Sequence, residues 1–269
     1  MIELFDTDKK ENNRKSSKGN QLKWEKDGIW YKADYTGYEG LSEYVISHLL
    51  MNSTLEDSEY VSYEQEDIKY KSNIYMGVSS KNFLNSNDQL ITLERLFQSI
   101  YGIGLNSMVY RTEDHEERLK IIVSKTQEIT GLNEFGIYMS KLLTIDAFFL
   151  NEDRHTHNIA VILRDGVKYD YCPIFDQGAG LLADTKMDYP LTGDIYELID
   201  SVKAKTFCQD FDEQLDIAEK LYGKNLKFHF TKKDVDKVLN DVFGYEKIVI
   251  DRVRDVIYEQ MRKYQYLFS

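Results

Sequence analysis

Asp153 is followed five residues later by Asn158, and a second carboxylate, Asp176, stands eighteen residues beyond that. Carboxylate and amide oxygens are the ligands that a hard cation such as Mg²⁺ prefers. A further free carboxylate is what a hydroxyl nucleophile needs to give up its proton. Such a set suits phosphoryl transfer, where catalysis is mostly positioning and charge neutralisation. For the three side chains to act together, the chain between them must double back. Ile159 to Leu163 and Tyr171 to Phe175 are apolar, strand-like runs joined through Arg164, Asp165, Gly166 and Val167. Asp-Gly between apolar runs is a strong hairpin signal, so the spacing predicts that Asp176 returns beside Asp153 and Asn158.

Other elements must hold this loop. Leu132 to Leu150 reads as a strongly apolar helix carrying Phe135, Met139, Leu142, Leu143, Ile145, Phe148 and Phe149, interrupted by Asp146 one turn before the loop. A carboxylate there is expected to be hydrogen-bonded and to brace the loop. Asp153, His155 and His157 also admit a reading as transition-metal ligands, with imidazole favouring Zn²⁺. The other histidines, at 48, 115 and 229, lie in unrelated contexts, which leaves a metallohydrolase the weaker reading.

Further upstream, Leu22 to Lys26 and Ile29 to Ala33 read as strands around an Asp27-Gly28 turn, which places Lys32 on a strand. Ser42 to Met51 has the apolar spacing of an amphipathic helix. Glu43, in its first turn, is the first choice of partner for Lys32, and Glu39 the second. Ile74 to Val78 is an apolar, β-prone run containing Met76, and Leu90 to Phe97 opens a helical region. Glu116 to Gly131 and Thr231 to Phe268 read as further helical stretches.

Asp153-Arg154-His155-x-x-Asn158, a hairpin, and then Phe175-Asp176-x-Gly178 together resemble the catalytic and metal-binding loops of the HipA-like serine/threonine kinases. The first loop is also similar to that of the phosphoinositide 3/4-kinases. Ordinary protein kinases share the Asp-to-Asn spacing but write His-Arg-Asp before it. Ser16 to Lys23 resembles the Ser-x-x-Gly-x-Gln-x-Lys nucleotide loop of the HipA-like family, although it holds a single glycine, Gly19.

The resemblance covers roughly residues 16 to 265 and implies ATP and Mg²⁺ as cofactors. It implies Asp153 as catalytic base, with His155 packed under the loop to fix its backbone. Asn158 and Asp176 would be Mg²⁺ ligands. Ser17, Gly19, Gln21, Lys32, Glu43 and Met76 would serve the nucleotide, Met76 from the run that leads into the inter-lobe hinge. Ser16 stands where such kinases autophosphorylate, and added charge there would repel the nucleotide phosphates. The implied fold class is α+β, a two-lobed protein-kinase-like architecture. A flexible arm spans 1–15, a β-rich lobe 16–84 and a mainly helical lobe 85–269. The interval from Leu182 to Thr206 takes the place of an activation segment.

Composition sets the outer bounds. With 269 residues and 42% apolar content, the chain is long enough to bury a sizeable core. A net charge of -12 argues against nucleic acid or an anionic membrane as the main partner. That weakens the reading as a phosphoinositide-type lipid kinase. A pseudokinase-like interaction module is the remaining alternative, disfavoured because every expected catalytic position is filled. Two cysteines make no disulfide framework, and no leader or apolar span of membrane length is evident, which fits a cytoplasmic enzyme. The expected partners are a protein substrate with a serine or threonine acceptor and, because the chain begins almost at the nucleotide loop, a small antitoxin or N-subdomain-like partner.

Overall fold

A computed structural model describes residues 1–10 and 21–268. Along the chain run β1 (Ile2–Leu4), β2 (Lys23–Lys26), β3 (Ile29–Ala33), α1 (Glu39–Leu50), β4 (Glu64–Tyr70) and β5 (Asn73–Lys81). There follow β6 (Gln89–Thr92), α2 (Leu93–Tyr101), α3 (Leu105–Val109), α4 (His115–Thr130), α5 (Phe135–Phe149), β7 (Ala160–Arg164) and β8 (Lys168–Tyr171). The chain ends with α6 (Ile195–Ser201), α7 (Phe211–Tyr222), α8 (Lys232–Asn240) and α9 (Lys247–Lys263). The fold is α+β, as the sequence predicts. It comprises two compact units, one of Met1–Phe83, Phe175–Ser201 and Phe228–Ser269, the other of Leu84–Ile174 and Val202–Lys227. These units are not the contiguous 16–84 and 85–269 blocks of the sequence reading, because Phe175–Ser201 and the C-terminal helices group with the N-terminal sheet.

The first unit holds a five-stranded sheet in the order β1-β4-β5-β3-β2. The turn between β2 and β3 places Asp27 and Gly28 at φ 53° and 76°, the doubly left-handed geometry that suits the twist of a tight hairpin. Alternation then sorts the side chains. Trp24, Tyr31 and Ala33 join Leu4, Ile68 and Tyr70 in a buried cluster. Lys23 and Lys32, opposite each other in the β2–β3 register, share the other face. Helix α1 lies against that face. Its approach requires glycine at position 40, where a Cβ on Gly40 would stand 3.0 Å from the Gly77 backbone, and within the sheet a Cβ on Gly77 would stand 2.1 Å from the Lys32 carbonyl oxygen.

One expectation is corrected in this unit. The segment 1–15 is not a loose arm where it is described, since Ile2–Leu4 pairs in parallel with Ile68–Tyr70 and Lys9 bridges to Trp24. Ile2 and Leu4 are β-prone, and Leu4 is buried in the core. Met76 lies in a strand, as the β-prone character of 74–78 predicts. It sits in the middle of β5 opposite Asp67, its carbonyl accepts the Asp34 N–H, and its side chain packs over Gly244. The apolar run 74–78 is explained by the sheet. The stretch 231–268 is helical, divided into α8 and α9 by a break in which Gly244 stands at φ 77°.

The second unit holds the sheet β6-β7-β8, all antiparallel. The predicted hairpin is present as β7 and β8, with Asp165 and Gly166 at φ 50° and 70°. Residues 90–92 are strand rather than helix, pairing with 160–162. Thr92 then caps α2 by accepting the Arg95 N–H. Helix α5 is apolar on all sides and accordingly buried. Leu150, at φ 56°, ends it in a left-handed turn that leads into the 151–158 loop. Among the described residues, no helix is long and apolar enough to cross a membrane.

Candidate active site

In the first unit, the ammonium of Lys32 meets two carboxylates, standing 2.5 Å from Glu43 Oε1 and 2.8 Å from Asp176 Oδ1. Of the two candidate partners for Lys32, the structure brings Glu43. Glu39 instead folds back to accept the N–H groups of Tyr35, Thr36 and Gly37. Because α1 begins at Glu39, Glu43 lies in its second turn rather than its first. The early start has a physical cause: Asp34 accepts the Gly40 N–H at 2.6 Å and so satisfies a first-turn donor from outside the helix.

Asp176 is held in an unusual backbone conformation, at φ 63°. Its N–H donates to the Tyr63 hydroxyl oxygen at 3.3 Å, and Ser42 donates to the Gln177 carbonyl at 2.9 Å. A left-handed aspartate survives only where its surroundings over-determine it, which is common at functional sites. Lys23 stands 3.9 Å from the same Asp176 oxygen. Two lysines directly opposite on a sheet repel each other. Their shared face is tolerable because an anion lies between them. Sequence reasoning gave Lys23 no role beyond the loop pattern and missed Tyr63, whose ring lies 5.2 Å from the Lys32 ammonium. The two-residue alternation that places Lys23 on the face of Lys32 was a usable signal. Nothing local pointed to Tyr63.

Electrostatics in this cluster are those of buried charge. Burial works against the Lys32 ammonium, but Asp176 and Glu43 outweigh it and hold the group well above the usual lysine range. Burial pushes the Glu43 carboxyl up, against the pull of Lys32. Burial likewise raises the Tyr63 hydroxyl, with Glu43 adding to the effect, so that it stays protonated.

In the second unit, the loop 151–158 is braced from below. Arg154, 1% exposed, donates through Nε and Nη2 to Asp146 and through Nη1 to the Asn158 carbonyl at 2.9 Å. The Asn151 side-chain amide donates a hydrogen bond to the Asp146 carboxylate at 3.0 Å, and Thr206 donates to the Arg154 carbonyl. Thr156 is tied to Glu94 at 2.8 Å. The bracing role expected of Asp146 is therefore present. Burial raises its carboxyl and Arg154 opposes that rise.

His155 does not fix the backbone as expected. Its side chain is about one-third exposed, its Nδ1 has no hydrogen-bond partner among the described residues, and its ring meets His157 edge-on. The neighbouring Arg154 does the bracing because its guanidinium can reach a carboxylate and a carbonyl at once. The Asn158 amide nitrogen donates to the Asp153 carbonyl at 2.8 Å, so its oxygen is the atom suited to a cation. The Asp153 carboxylate lies 3.9 Å from Lys205, another contact that sequence reasoning missed.

The donor chemistry suits the cofactors that the loops imply. Glu43 Oε2 and Gln21 Nε2 are buried without hydrogen-bond partners among the described residues, an acceptor and a donor in reserve. Two ammonium groups converge on one carboxylate oxygen, the local charge pattern that a cation-bound polyphosphate requires. Ser16, Ser17 and Gly19 lie outside the described residues. A cavity of about 810 Å³ lined by Phe228, Phe230, Tyr258 and Arg262 contains none of these site residues.

Neither a family model nor a curated protein sequence matches this chain. Solved structures do. A Helicobacter pylori proinflammatory kinase, CtkA, is similar with a TM-score of 0.63 at 15% identity, over 97% of this chain and 94% of that one. HipA in a Shewanella oneidensis MR-1 complex with HipB and operator DNA gives a TM-score of 0.41 at 11% identity, over 96% of this chain and 67% of that one. The chain thus has a kinase-type α+β fold, the architecture seen in CtkA.

Proposed function

We propose that this chain is an ATP-dependent serine/threonine protein kinase of the HipA-like type. The observation that carries the reading is the buried Lys32–Glu43 pair closed onto Asp176. A lysine fixed by a helix glutamate and aimed at a second carboxylate is arranged to neutralise phosphate charge rather than to stabilise a sheet. Bound Mg²⁺, held by Asp176 and Asn158, would offset the negative charge on the phosphate oxygens.

The remaining work falls to the chain's own groups. Lys32 neutralises charge on the nucleotide phosphates, and Glu43 keeps its ammonium in place. Asp153 Oδ orients the acceptor hydroxyl and takes its proton as the new O–P bond forms, while the bond from the γ-phosphorus to the bridging oxygen breaks and ADP leaves. The Arg154–Asp146 brace holds Asp153 in position. A small antitoxin-type or N-subdomain-like partner, and autophosphorylation at Ser16, belong to the proposal on the sequence resemblance alone.

Incubation with labelled ATP and Mg²⁺ tests the reading. Wild-type protein should phosphorylate itself or a protein acceptor, and Asp153→Ala and Asp176→Ala should not, with thermal melts unchanged. Transfer retained in Asp176→Ala would remove the assignment. Label accepted only by phosphoinositide vesicles would replace it with a lipid kinase.

A further inference from the structure

Outside this machinery, His115, Cys208 and Glu213 each offer a ligand atom, and all three atoms lie within 4.8 Å of one another. His115 is the first residue of α4, Glu213 the third of α7, and Cys208 lies in the segment leading into α7. His115 is distant in sequence from Cys208 and Glu213, which are near neighbours, and the three differ in chemistry. Thiolate, imidazole and carboxylate together form the donor set that zinc takes in proteins, with water in the fourth position where three ligands come from the chain. We propose that these three residues form a zinc-binding site that clamps the start of α4 to the start of α7.

The surroundings support a pre-organised site. Cys208 is buried, and its segment is pinned on both sides. Arg118 donates to the Phe207 carbonyl at 2.8 Å, and the buried Gln214 donates to the Cys208 carbonyl at 2.8 Å. The thiol donates to the Asp210 carbonyl at 3.3 Å and also interacts with the Glu213 side chain. Glu213 is fixed at its backbone by the Asp210 cap, while its carboxylate reaches His115 Nδ1 at 2.7 Å.

Tetrahedral zinc needs such donors about 3.5 Å apart, given bonds of about 2.0–2.3 Å. The exposed His115 and Glu213 side chains would therefore open slightly from each other and close on the fixed sulfur. Two helix N-termini meet here, and their dipoles oppose a cation. Both are capped by aspartate, Asp114 and Asp210, and Glu116, Glu117 and Asp212 add further negative charge. The nearby cations are already engaged: Lys120 and Lys220 on Glu116, Arg118 on carbonyls.

The test uses the full chain, stripped with a chelator and titrated with zinc chloride and with cobalt chloride under excess Mg²⁺. The excess Mg²⁺ keeps the carboxylates of the phosphoryl-transfer site out of the measurement. Wild-type protein should take one zinc, melt at a higher temperature with it, and show a sulfur-to-cobalt charge-transfer band. Cys208→Ser should abolish the band. His115→Ala and Glu213→Gln should each weaken zinc binding about 10-fold or more. His115 sits at the surface, so its variant decides the matter even where a change at the buried cysteine unfolds the protein. Absence of the band in wild type, or zinc affinity unchanged in His115→Ala, would overturn the proposal.

Discussion

Replacing Lys32 by methionine keeps the bulk of the side chain and removes its charge. Glu43, 1% exposed, is then left buried with no cation. Leaving one member of a buried pair alone costs about 3–5 kcal/mol. Glu43 has one escape, which is to take up a proton. From an ordinary value of 4.5 this costs about 3 kcal/mol at pH 7, at about 1.4 kcal/mol per pH unit, so it caps the penalty near the lower end. Asp176 suffers less, since its side chain is 24% exposed and Lys23 remains 3.9 Å away. Lys32→Met should therefore lose about 3–4 kcal/mol at pH 7. The double variant Lys32→Met with Glu43→Gln should lose only about 1–2, so the coupling is at least about 2 kcal/mol in magnitude, larger by whatever Glu43→Gln costs alone.

The pH dependence follows from the same reasoning. In Lys32→Met the folded Glu43 holds its proton more tightly than the unfolded one. Stability is then highest below about pH 4.5 and falls as pH rises towards 7. The excess penalty should shrink by about 2–3 kcal/mol between pH 7 and pH 5. Urea unfolding of the four proteins at both pH values measures this. Additivity of the two substitutions within about 0.5 kcal/mol, or a penalty equal at both pH values, would refute the buried-pair argument.

Three further outcomes follow. Asp34 has its carboxyl pushed up to about 7, chiefly by burial. The folded state keeps a proton there that the unfolded chain releases, so stability falls as pH rises from about 4 to 7. Asp34→Asn should flatten that slope by about 2 kcal/mol in urea midpoints, half the full linkage because water reaches part of the side chain. Gly77→Ala puts a Cβ 2.1 Å from the Lys32 carbonyl. It should cost about 3 kcal/mol in denaturant unfolding and lower phosphotransfer by displacing Lys32. Asp146→Ala strands the buried Arg154 guanidinium and should cost about 3–5 kcal/mol, with phosphotransfer lost alongside. A variant as stable as wild type would show that Arg154 does not depend on Asp146.

What the sequence determined by itself was whatever short-range rules govern. Asp27-Gly28 and Asp165-Gly166 demanded tight turns, the apolar 132–150 run demanded a buried helix, and alternation placed Lys32 on a strand. The spacing of Asp153, Asn158 and Asp176 was enough to suggest the chemistry. What only the tertiary structure decided were partners distant along the chain. Asp176 meets Lys32 across 144 positions. The Tyr63 hydroxyl lies 113 positions from the Asp176 N–H that it accepts. The brace under the loop proved to be Arg154 rather than His155, because only a buried carboxylate from α5 could select the guanidinium. Met76 came to pack over Gly244, a contact that nothing in the β-prone run 74–78 indicates. Local patterns specify element and face, whereas charges are paired by packing, which no window of neighbouring residues contains.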